Sequence, residues 1–293
     1  MRTFNIYFAI IGLMMLGACG AVHDDLLHEK AQRIASPAYM VERTINAAPF
    51  ALTAFERIHG QPGPVNIYIG DDLRNMGRIT TNKTTASYPV ALHLAAMDKS
   101  ANVVYLALPC QYTGLIDEGR DCHADKGKNA GPTLEALNTA ITDVKAKYRL
   151  DDVNLIGYGH GGYFAALLAA ARPDVASLRS VSPMLEGHFE IPQSAYGRLA
   201  TIPQRHFIGA LDPDIFVENY KIYKEKLPAA RCVSHQLVEG AGHEVGWANR
   251  WGELIAMPVG CATAAAPRYD FRKVQDFTTR ATPKTRYLPG SDK

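Results

Sequence analysis

Three glycines alternate with larger residues between an apolar stretch and an alanine-rich stretch. Residues 157–161 read Gly-Tyr-Gly-His-Gly, after Val153–Ile156 and before Tyr163–Arg172. A strand, a sharp turn and a helix in this order form a nucleophile elbow, in which the central residue of G-x-S-x-G presents a serine hydroxyl for attack. Here the central residue is Gly159, so the pattern predicts the turn without the attacking atom.

Two side chains suited to proton transfer follow later predicted strands. Asp212 comes after His206–Ile208, and His243 comes shortly after Val233–Val238. In a complete site of this kind the histidine takes the serine proton, and the acid orients the imidazole and stabilises its charged form. The chain order of nucleophile position, acid and histidine therefore predicts a catalytic site that lacks its serine.

Main-chain N–H groups beside the turn are the expected donors to a developing oxyanion. The N–H of His160 is one of them, and the second is expected near Gly70 and Asp71, in the loop after the apolar run Val65–Ile69. Backbone donors of this kind stabilise the negative charge of a tetrahedral intermediate. We expect the His160 ring to line the pocket or cap the helix, and not to catalyse.

The missing hydroxyl leaves three alternatives for an active enzyme. Ser182 follows the predicted strand Leu178–Val181 and is the candidate for a different nucleophile, although a plain loop serine explains it as well. A water molecule activated by His243 could attack instead, in the space beside Gly159. Finally, Gly159 could itself be a substitution in an otherwise active serine enzyme.

Short apolar runs bounded by Gly or Pro alternate with segments of helical periodicity. This alternation predicts an α/β fold with a mostly parallel, doubly wound sheet. The first two runs are separated by Asn-Ala-Ala-Pro and predict an N-terminal antiparallel hairpin. Predicted strands are Val41–Ile45, Phe50–Ile58, Val65–Ile69, Val103–Leu108, Val153–Ile156, Leu178–Val181, His206–Ile208 and Val233–Val238. Predicted helices are Pro89–Met97, Thr133–Tyr148, Gly161–Arg172, Asp214–Leu227 and Val245–Met257.

The interval between Pro183 and Pro203 is where a sheet of this topology would accept an inserted lid. It is long for a plain loop but short for a separate cap. We therefore expect little or no lid and an open or lightly covered cleft.

The N-terminal residues have the pattern of an export signal. Arg2 precedes the apolar run Ile6–Leu16, which is too short to span a bilayer, and Leu-Gly-Ala-Cys follows at residues 16–19. This resembles the lipobox of bacterial lipoproteins, which implies a signal peptide at residues 1–18 and lipidation of Cys19. Gly20 in place of aspartate implies transfer to the outer membrane, facing the periplasm. Residues 19–38 are expected to be a tether.

The chain has 293 residues and a formal net charge of +2. This length suits one large domain, assigned to residues 39–261, and the charge gives no indication of a nucleic-acid partner. Residues 262–293 are basic and lack periodicity, which predicts a poorly ordered tail.

Four cysteines remain after Cys19, an even number that suits disulfides in an oxidising compartment. Three pairings are possible, and the favoured one joins near neighbours in sequence. Its pairs are Cys110–Cys122 and Cys232–Cys261. No C-x-x-C or C-x-x-H spacing supports a zinc site, so neither a metal nor another cofactor is expected.

Several stretches together resemble the α/β-hydrolase superfamily, and more narrowly its exported bacterial lipoprotein hydrolases. These stretches are Leu106–Tyr112, Asn154–Tyr158, Pro203–Gly209 and the Gly-His-Glu at residues 242–244, and the resemblance covers about residues 40–260. It implies an α/β-hydrolase fold, a serine-esterase type of site and a small ester-like or acyl substrate or ligand.

The leading interpretation is an envelope lipoprotein of the serine ester or acyl hydrolase type. Asp212 and His243 are retained, but Gly159 impairs or abolishes catalysis. The first alternative is an active carboxylic-ester hydrolase that uses Ser182, water or a restored serine. The second is a non-enzymatic protein that binds a ligand or serves as an envelope scaffold.

Overall fold

The computed structural model describes residues 26–60, 62–71, 88–113, 130–186, 190–227 and 231–261. The chain divides after Cys261, and every described residue lies in the first unit. The expectations for the signal peptide, Cys19, Cys122 and the tail at 262–293 fall outside the described residues.

The described strands form one eight-stranded sheet with the order β1-β2-β4-β3-β5-β6-β7-β8. β1 pairs antiparallel with β2, and β2 pairs antiparallel with β4, whereas the remaining neighbours are parallel. The strands are β1 Val41–Ala47, β2 Phe50–Ile58, β3 Val65–Ile69, β4 Asn102–Leu106, β5 Val153–Tyr158, β6 Val175–Val181, β7 Gln204–Gly209 and β8 Val233–Val238. The mostly parallel sheet and its N-terminal hairpin confirm the predicted fold class.

Helices cover both faces of the sheet. They are α1 (residues 26–35), α2 Val90–Met97, α3 Ala130–Tyr148, α4 His160–Ala171, α5 Tyr196–Leu199, α6 Asp214–Lys226 and α7 Ala248–Ala256. Buried side chains of α3, α4, α5 and α6 form the core on one face, and those of α1, α2 and α7 form the core on the other. This two-sided cover is why the central strands are buried along their whole length.

Helix α1 differs from the expected tether. Leu27, Ala31 and Ala35 recur every four residues, and all three are buried in the core. Spacing of this kind places them on one face of a helix, which packs against the sheet. The polar residues between them made the segment look like a linker in the sequence, but they lie on the solvent face.

The segment after β6 packs against the core of the domain. A 3₁₀ turn at Gln193–Ala195 leads into the short helix α5, and Ile191, Tyr196, Leu199 and Ile202 are buried. In the described part of this interval no separate cap is formed, as the short interval predicted.

Cys232, just before β8, and Cys261, after α7, form a disulfide, which is the pairing predicted for them. The partner predicted for Cys110 lies outside the described residues. None of the helices in the described ranges combines the length and the apolar character that a membrane crossing requires.

Glycines at the start of α4 allow this helix to approach the sheet. A Cβ on Gly161 would lie 2.8 Å from the carbonyl carbon of Ile69 and still closer to its oxygen. A Cβ on Gly157 would lie 2.5 Å from the Cα of Gly162. Only residues without a side chain fit between backbones at this separation.

We expect Gly161→Ala to lower the free energy of unfolding by about 1–3 kcal/mol, because the added methyl would overlap backbone atoms. Gly252→Ala is the matched control, since Gly252 is exposed within α7 and an added Cβ meets nothing within 4 Å. It should gain about 0.5–1 kcal/mol. Urea unfolding measures both, and equal stability of the two variants would refute the close approach.

Candidate active site

Gly159 forms the apex of a sharp turn between β5 and α4. Its φ is 55° and its ψ is −122°, a conformation that residues with a side chain rarely adopt. The turn is fixed by the Gly159 N–H, which donates to the Val181 carbonyl at 3.2 Å, and by the Gly159 carbonyl, which accepts from the Met184 N–H at 3.0 Å. The backbone therefore has the form of the predicted elbow.

His243 lies on a loop between β8 and α7 that buried aromatic residues hold in place. The Trp247 indole donates to the carbonyls of Gly242 at 2.7 Å and His243 at 3.2 Å. The Tyr158 hydroxyl also donates to the His243 carbonyl, and the two rings lie 5.2 Å apart. These contacts fix the imidazole close to the end of β5.

The carboxylate of Asp71 occupies the space that a side chain on Gly159 would need. A Cβ built on Gly159 would lie 2.5 Å from Cγ of Asp71, and still closer to its Oδ2. All three of its nearest atoms belong to this one carboxylate. An acid that follows β3 therefore fills the place beside the apex where an elbow serine would carry its hydroxyl.

Two histidines and a main-chain N–H surround the Asp71 carboxylate. Oδ1 accepts from the His160 N–H at 3.1 Å and lies 2.7 Å from Nδ1 of the same residue. Oδ2 lies 3.5 Å from Nε2 of His243. Gln111 donates to the Asp71 carbonyl at 2.9 Å and holds the main chain at this position.

The pKa of Asp71 reflects these neighbours. Burial disfavours the charged form, but His160 and His243 outweigh it and hold the pKa well below its usual range. Asp71 is therefore an anion at any pH at which the protein would work. Its buried charge is compensated by the histidines and by the His160 N–H at the start of α4.

Asp212 lies after β7, as predicted, and is held by its own set of donors. The Ser182 hydroxyl lies 2.6 Å from both carboxylate oxygens, and the Gly209 N–H donates to Oδ2 at 2.8 Å. Burial raises the pKa of Asp212, whereas Ser182, Gly209 and the charge of His243 lower it. Asp212 is thus electrostatically coupled to His243.

The position of Ser182 bears on its suggested role as a nucleophile. Its hydroxyl is directed at Asp212, and its side chain, directly after the end of β6, is fully buried. A nucleophile needs a base for its proton and a path to the substrate. The hydrogen bond to Asp212 indicates instead that Ser182 holds the Asp212 carboxylate in place.

The predicted oxyanion donors are only partly in place. The His160 N–H lies at the turn, but its acceptor is the Asp71 carboxylate. The Gly70 N–H donates to the Leu106 carbonyl at 3.2 Å, because β3 continues its pairing with β4 by one more residue. Gly70 therefore cannot serve as the second donor.

Space for an attacking water beside Gly159 is also limited, because the Asp71 carboxylate fills it. Within the described ranges, no group of three or more His, Cys, Asp and Glu side chains is arranged to hold a metal ion.

Asp71 was predicted from the sequence only for its main-chain N–H, and the role of its side chain was missed. A signal was present in the sequence. An acid directly after a mostly apolar strand and a glycine lies at the edge where the other site residues gather. A turn whose central residue has no side chain leaves room beside it for such a group.

Comparisons with solved structures agree with this architecture. An α/β serine hydrolase homologue from Coxiella burnetii is 18% identical, with a TM-score of 0.52 over 73% of this chain and 93% of that one. Dienelactone hydrolase from Anabaena variabilis is 18% identical, with a TM-score of 0.52 over 74% and 94%. A serine hydrolase without a lid from Xanthomonas campestris is 15% identical, with a TM-score of 0.51 over 83% and 97%.

These likenesses show that the chain has the α/β-hydrolase fold. No protein-family model matches the sequence, and no curated protein matches it. At such low identity the shared fold does not transfer an activity. The function must therefore be argued from the site itself.

We expect Asp71→Asn to lower stability near neutral pH by about 1.5–3 kcal/mol, because a hydrogen-bonded buried charge is lost. The folded-state pKa of Asp71 is depressed, so its contribution is present above the unfolded value of about 3.9 and is lost as the pH falls below it. The difference in unfolding free energy between the natural chain and the variant should therefore become smaller as the pH falls from about 5 towards 3.

Urea unfolding across this pH range measures the difference in unfolding free energy. The matched control is Asp151→Asn, which changes an exposed acid outside the site. A difference in unfolding free energy that stays constant with pH, or one equal to the difference that Asp151→Asn produces, would show that the surroundings of Asp71 do not stabilise its charged form.

Proposed function

We propose that this chain is an envelope lipoprotein of the hydrolase type in which serine acyl transfer has been lost. The proposal rests on one observation. The Asp71 carboxylate fills the nucleophile position beside Gly159 and faces His243, the histidine expected to act as base. A serine esterase needs a hydroxyl at that point, and its loss typically removes about a million-fold in turnover.

The retained histidine and acid support a site that once carried the full set of groups. His243 is fixed by Trp247 and Tyr158, and its charge is coupled to Asp212. A small ester-like or acyl molecule is the expected ligand of this site. Efficient hydrolysis of a carboxylic ester through a covalent serine intermediate is not expected.

Location in the cell envelope is part of the proposal. It is supported by the apolar leader, by Cys19 at the end of a small-residue pattern and by Gly20 after it. The Cys232–Cys261 disulfide suits an oxidising compartment. A single acyl chain anchors only weakly, so a lipoprotein needs more than one to remain on the membrane.

We expect the natural chain and Gly159→Ser to lack cleavage of short p-nitrophenyl esters and labelling by a fluorophosphonate. In the single variant the new side chain would overlap the Asp71 carboxylate. The double variant Asp71→Ala with Gly159→Ser removes this overlap. It should raise ester cleavage by about 100-fold or more over Gly159→Ser alone, because the hydroxyl can then reach His243.

The matched control is Asp71→Ala with Gly159→Ala, which differs from the active double variant by one oxygen atom. It should stay inactive, and adding His243→Ala to the active variant should abolish the gain. Fluorophosphonate labelling of the natural chain, at Ser182 or at any other serine, would contradict the proposal.

Anchoring can be tested separately from the site. Expressed in a Gram-negative host, the natural chain should incorporate a palmitate analogue and fractionate with the outer membrane, whereas Cys19→Ala should do neither. Gly20→Asp is the matched variant for sorting and should keep the lipid label but shift to the inner membrane. A natural chain without label in the soluble periplasm would refute the anchor.

A further inference from the structure

We propose that the amino edge of the sheet docks on an anionic phospholipid bilayer, and that a cavity at this edge takes the phosphate of a lipid headgroup. The inference rests on the proposed attachment of the chain to a membrane, and it concerns the edge opposite to Asp71 and His243. The cavity measures about 520 Å³ and lies where β2 and α2 end and β4 begins.

Three side chains that can donate hydrogen bonds to an anion line the cavity. They are Arg57, His59 and Lys99, of which the last two are exposed. The Arg57 guanidinium donates to the carbonyls of Ala38 at 3.2 Å and Ala96 at 3.3 Å. Carbonyl groups carry no net charge, so these contacts do not neutralise Arg57. Arginine and lysine are common partners of phosphate groups in proteins.

Asp98 also lines the cavity, but its carboxylate is turned towards the interior of the domain. Oδ2 accepts from the Asn66 amide and from the Tyr68 hydroxyl, each at 2.8 Å, and Oδ1 accepts from the Ser100 N–H at 2.8 Å. The residue is buried. The negative charge of the lining therefore lies below the surface and the positive charges lie at it, so an entering phosphate meets cationic donors first.

Exposed apolar side chains flank the cavity. Tyr39 is 81% exposed and Val41 is 70% exposed. Tyr39 follows Ala38, whose carbonyl binds Arg57, and Val41 pairs with Glu56, the preceding residue of β2. The φ of Tyr39 is 56°, a left-handed conformation that is unfavourable for a residue with a side chain. Since the ring is exposed, packing within the domain does not explain it, whereas a membrane–water interface favours tyrosine beside basic residues.

Further cations lie along the same edge. Arg149 precedes β5, Arg231 precedes β8, and both are exposed, whereas Arg205 in β7 is half-buried. Exposed acids are present as well, at Asp151 and Asp152. Helices that follow parallel strands end at this edge, and their C-termini favour basic residues for stability alone. That effect does not explain the apolar side chains beside the cavity, and an anionic bilayer matches both kinds of side chain.

The anchor can bring this edge to the membrane. Helix α1 begins near the carboxyl edge, where the His28 ring lies 6.2 Å from that of Tyr112, and the chain after it reaches the cavity. The helix spans about 15 Å. Six residues separate Cys19 from Leu26, and an extended chain of this length spans about 25 Å, enough to pass along α1. Because the chain is already held at the membrane, a weak contact suffices for docking.

Docking through the amino edge determines what can reach the site. Asp71, Asp212 and His243 lie at the carboxyl edge, so they would face away from the bilayer that holds the protein. The ligand of the site is then a water-soluble molecule and not a lipid of that bilayer.

The test uses the full chain on vesicles, where its lipid or its apolar leader holds it, and compares Tyr39→Trp with Leu211→Trp. Leu211 is the matched control because it is 59% exposed at the carboxyl edge, in the loop after β7. On vesicles of brominated phosphatidylglycerol, the lipid should quench the tryptophan at position 39 and not the one at position 211. On brominated phosphatidylcholine it should quench neither. The natural Trp247 and Trp251 are buried, and the emission of the natural chain is subtracted.

The role of charge is tested in the Tyr39→Trp chain. Adding Lys99→Glu should lower the ratio of docked to undocked chain on phosphatidylglycerol by about tenfold or more, because each basic residue near an anionic surface contributes to binding. Lys221→Glu is the matched control, since it makes the same change of charge in the middle of α6, and it should alter docking far less. At about 1 M salt the Debye length is about 3 Å, so the quenching should be lost.

A measurement on the natural chain needs no substitution. A water-soluble reagent that acetylates amines should modify Lys99 more slowly on phosphatidylglycerol than on phosphatidylcholine vesicles, because the docked lipid covers it. Lys221 should react at the same rate on both.

The inference is overturned if the tryptophan at position 39 has the same emission on both lipids, or if Lys99 reacts equally fast on both. Quenching at position 211 would also overturn it, since the carboxyl edge would then face the bilayer. None of these results affects the proposed function. That proposal fails if the natural chain takes up no palmitate analogue or shows serine-dependent ester cleavage, which are measured separately.

Discussion

A buried carboxylate lies at the start of helix α4, and much of the surrounding structure compensates its charge. Removing such an anion from water costs several kcal/mol unless donors and positive charges replace the lost hydration. Asp71 obtains these from the His160 N–H, the His160 ring and His243. The histidine loop, the turn at Gly159 and the Gln111 contact to the main chain of Asp71 all contribute to this arrangement.

The side chains that can occupy positions 159 and 71 depend on each other sterically. The absent side chain of one residue provides the volume that the carboxylate of the other occupies. Neither residue can be understood alone, because a serine at the apex would collide with the acid, and removal of the acid would remove the carboxylate that both histidines face. The pair therefore places a charged carboxylate beside the apex of the turn.

The fold could be predicted in detail from the sequence because several of its central strands are short, mostly apolar runs bounded by glycine or proline. β3 and β8 have the predicted bounds, and the hairpin of β1 and β2 was indicated by its proline-containing turn. Helix α1 was missed because Ala31 and Ala35 are weak markers of a buried face. Its packing depends on the sheet, which a local pattern does not reveal.

The site could be predicted only in part, for a related reason. Asp212 and His243 follow strands, so their place at the edge of the sheet follows from topology. The direction of the Asp71 side chain depends on an empty volume on another element, far away in sequence. The same holds for Ser182, whose hydroxyl is directed at Asp212 and not at His243. Such pairings arise from packing in three dimensions, and no spacing along the chain encodes them.

The Cys232–Cys261 disulfide joins residues 29 positions apart and closes a ring of chain that includes β8, the loop of His243 and helix α7. A cross-link of this length restricts the unfolded chain and limits how far the segment inside it can separate from the sheet. The loop of His243 lies inside this ring, so the cross-link restricts that loop together with β8 and α7. A reduced copy of the protein would therefore have a looser histidine loop than an oxidised one, so reactivity at this site would depend on the redox state of its surroundings.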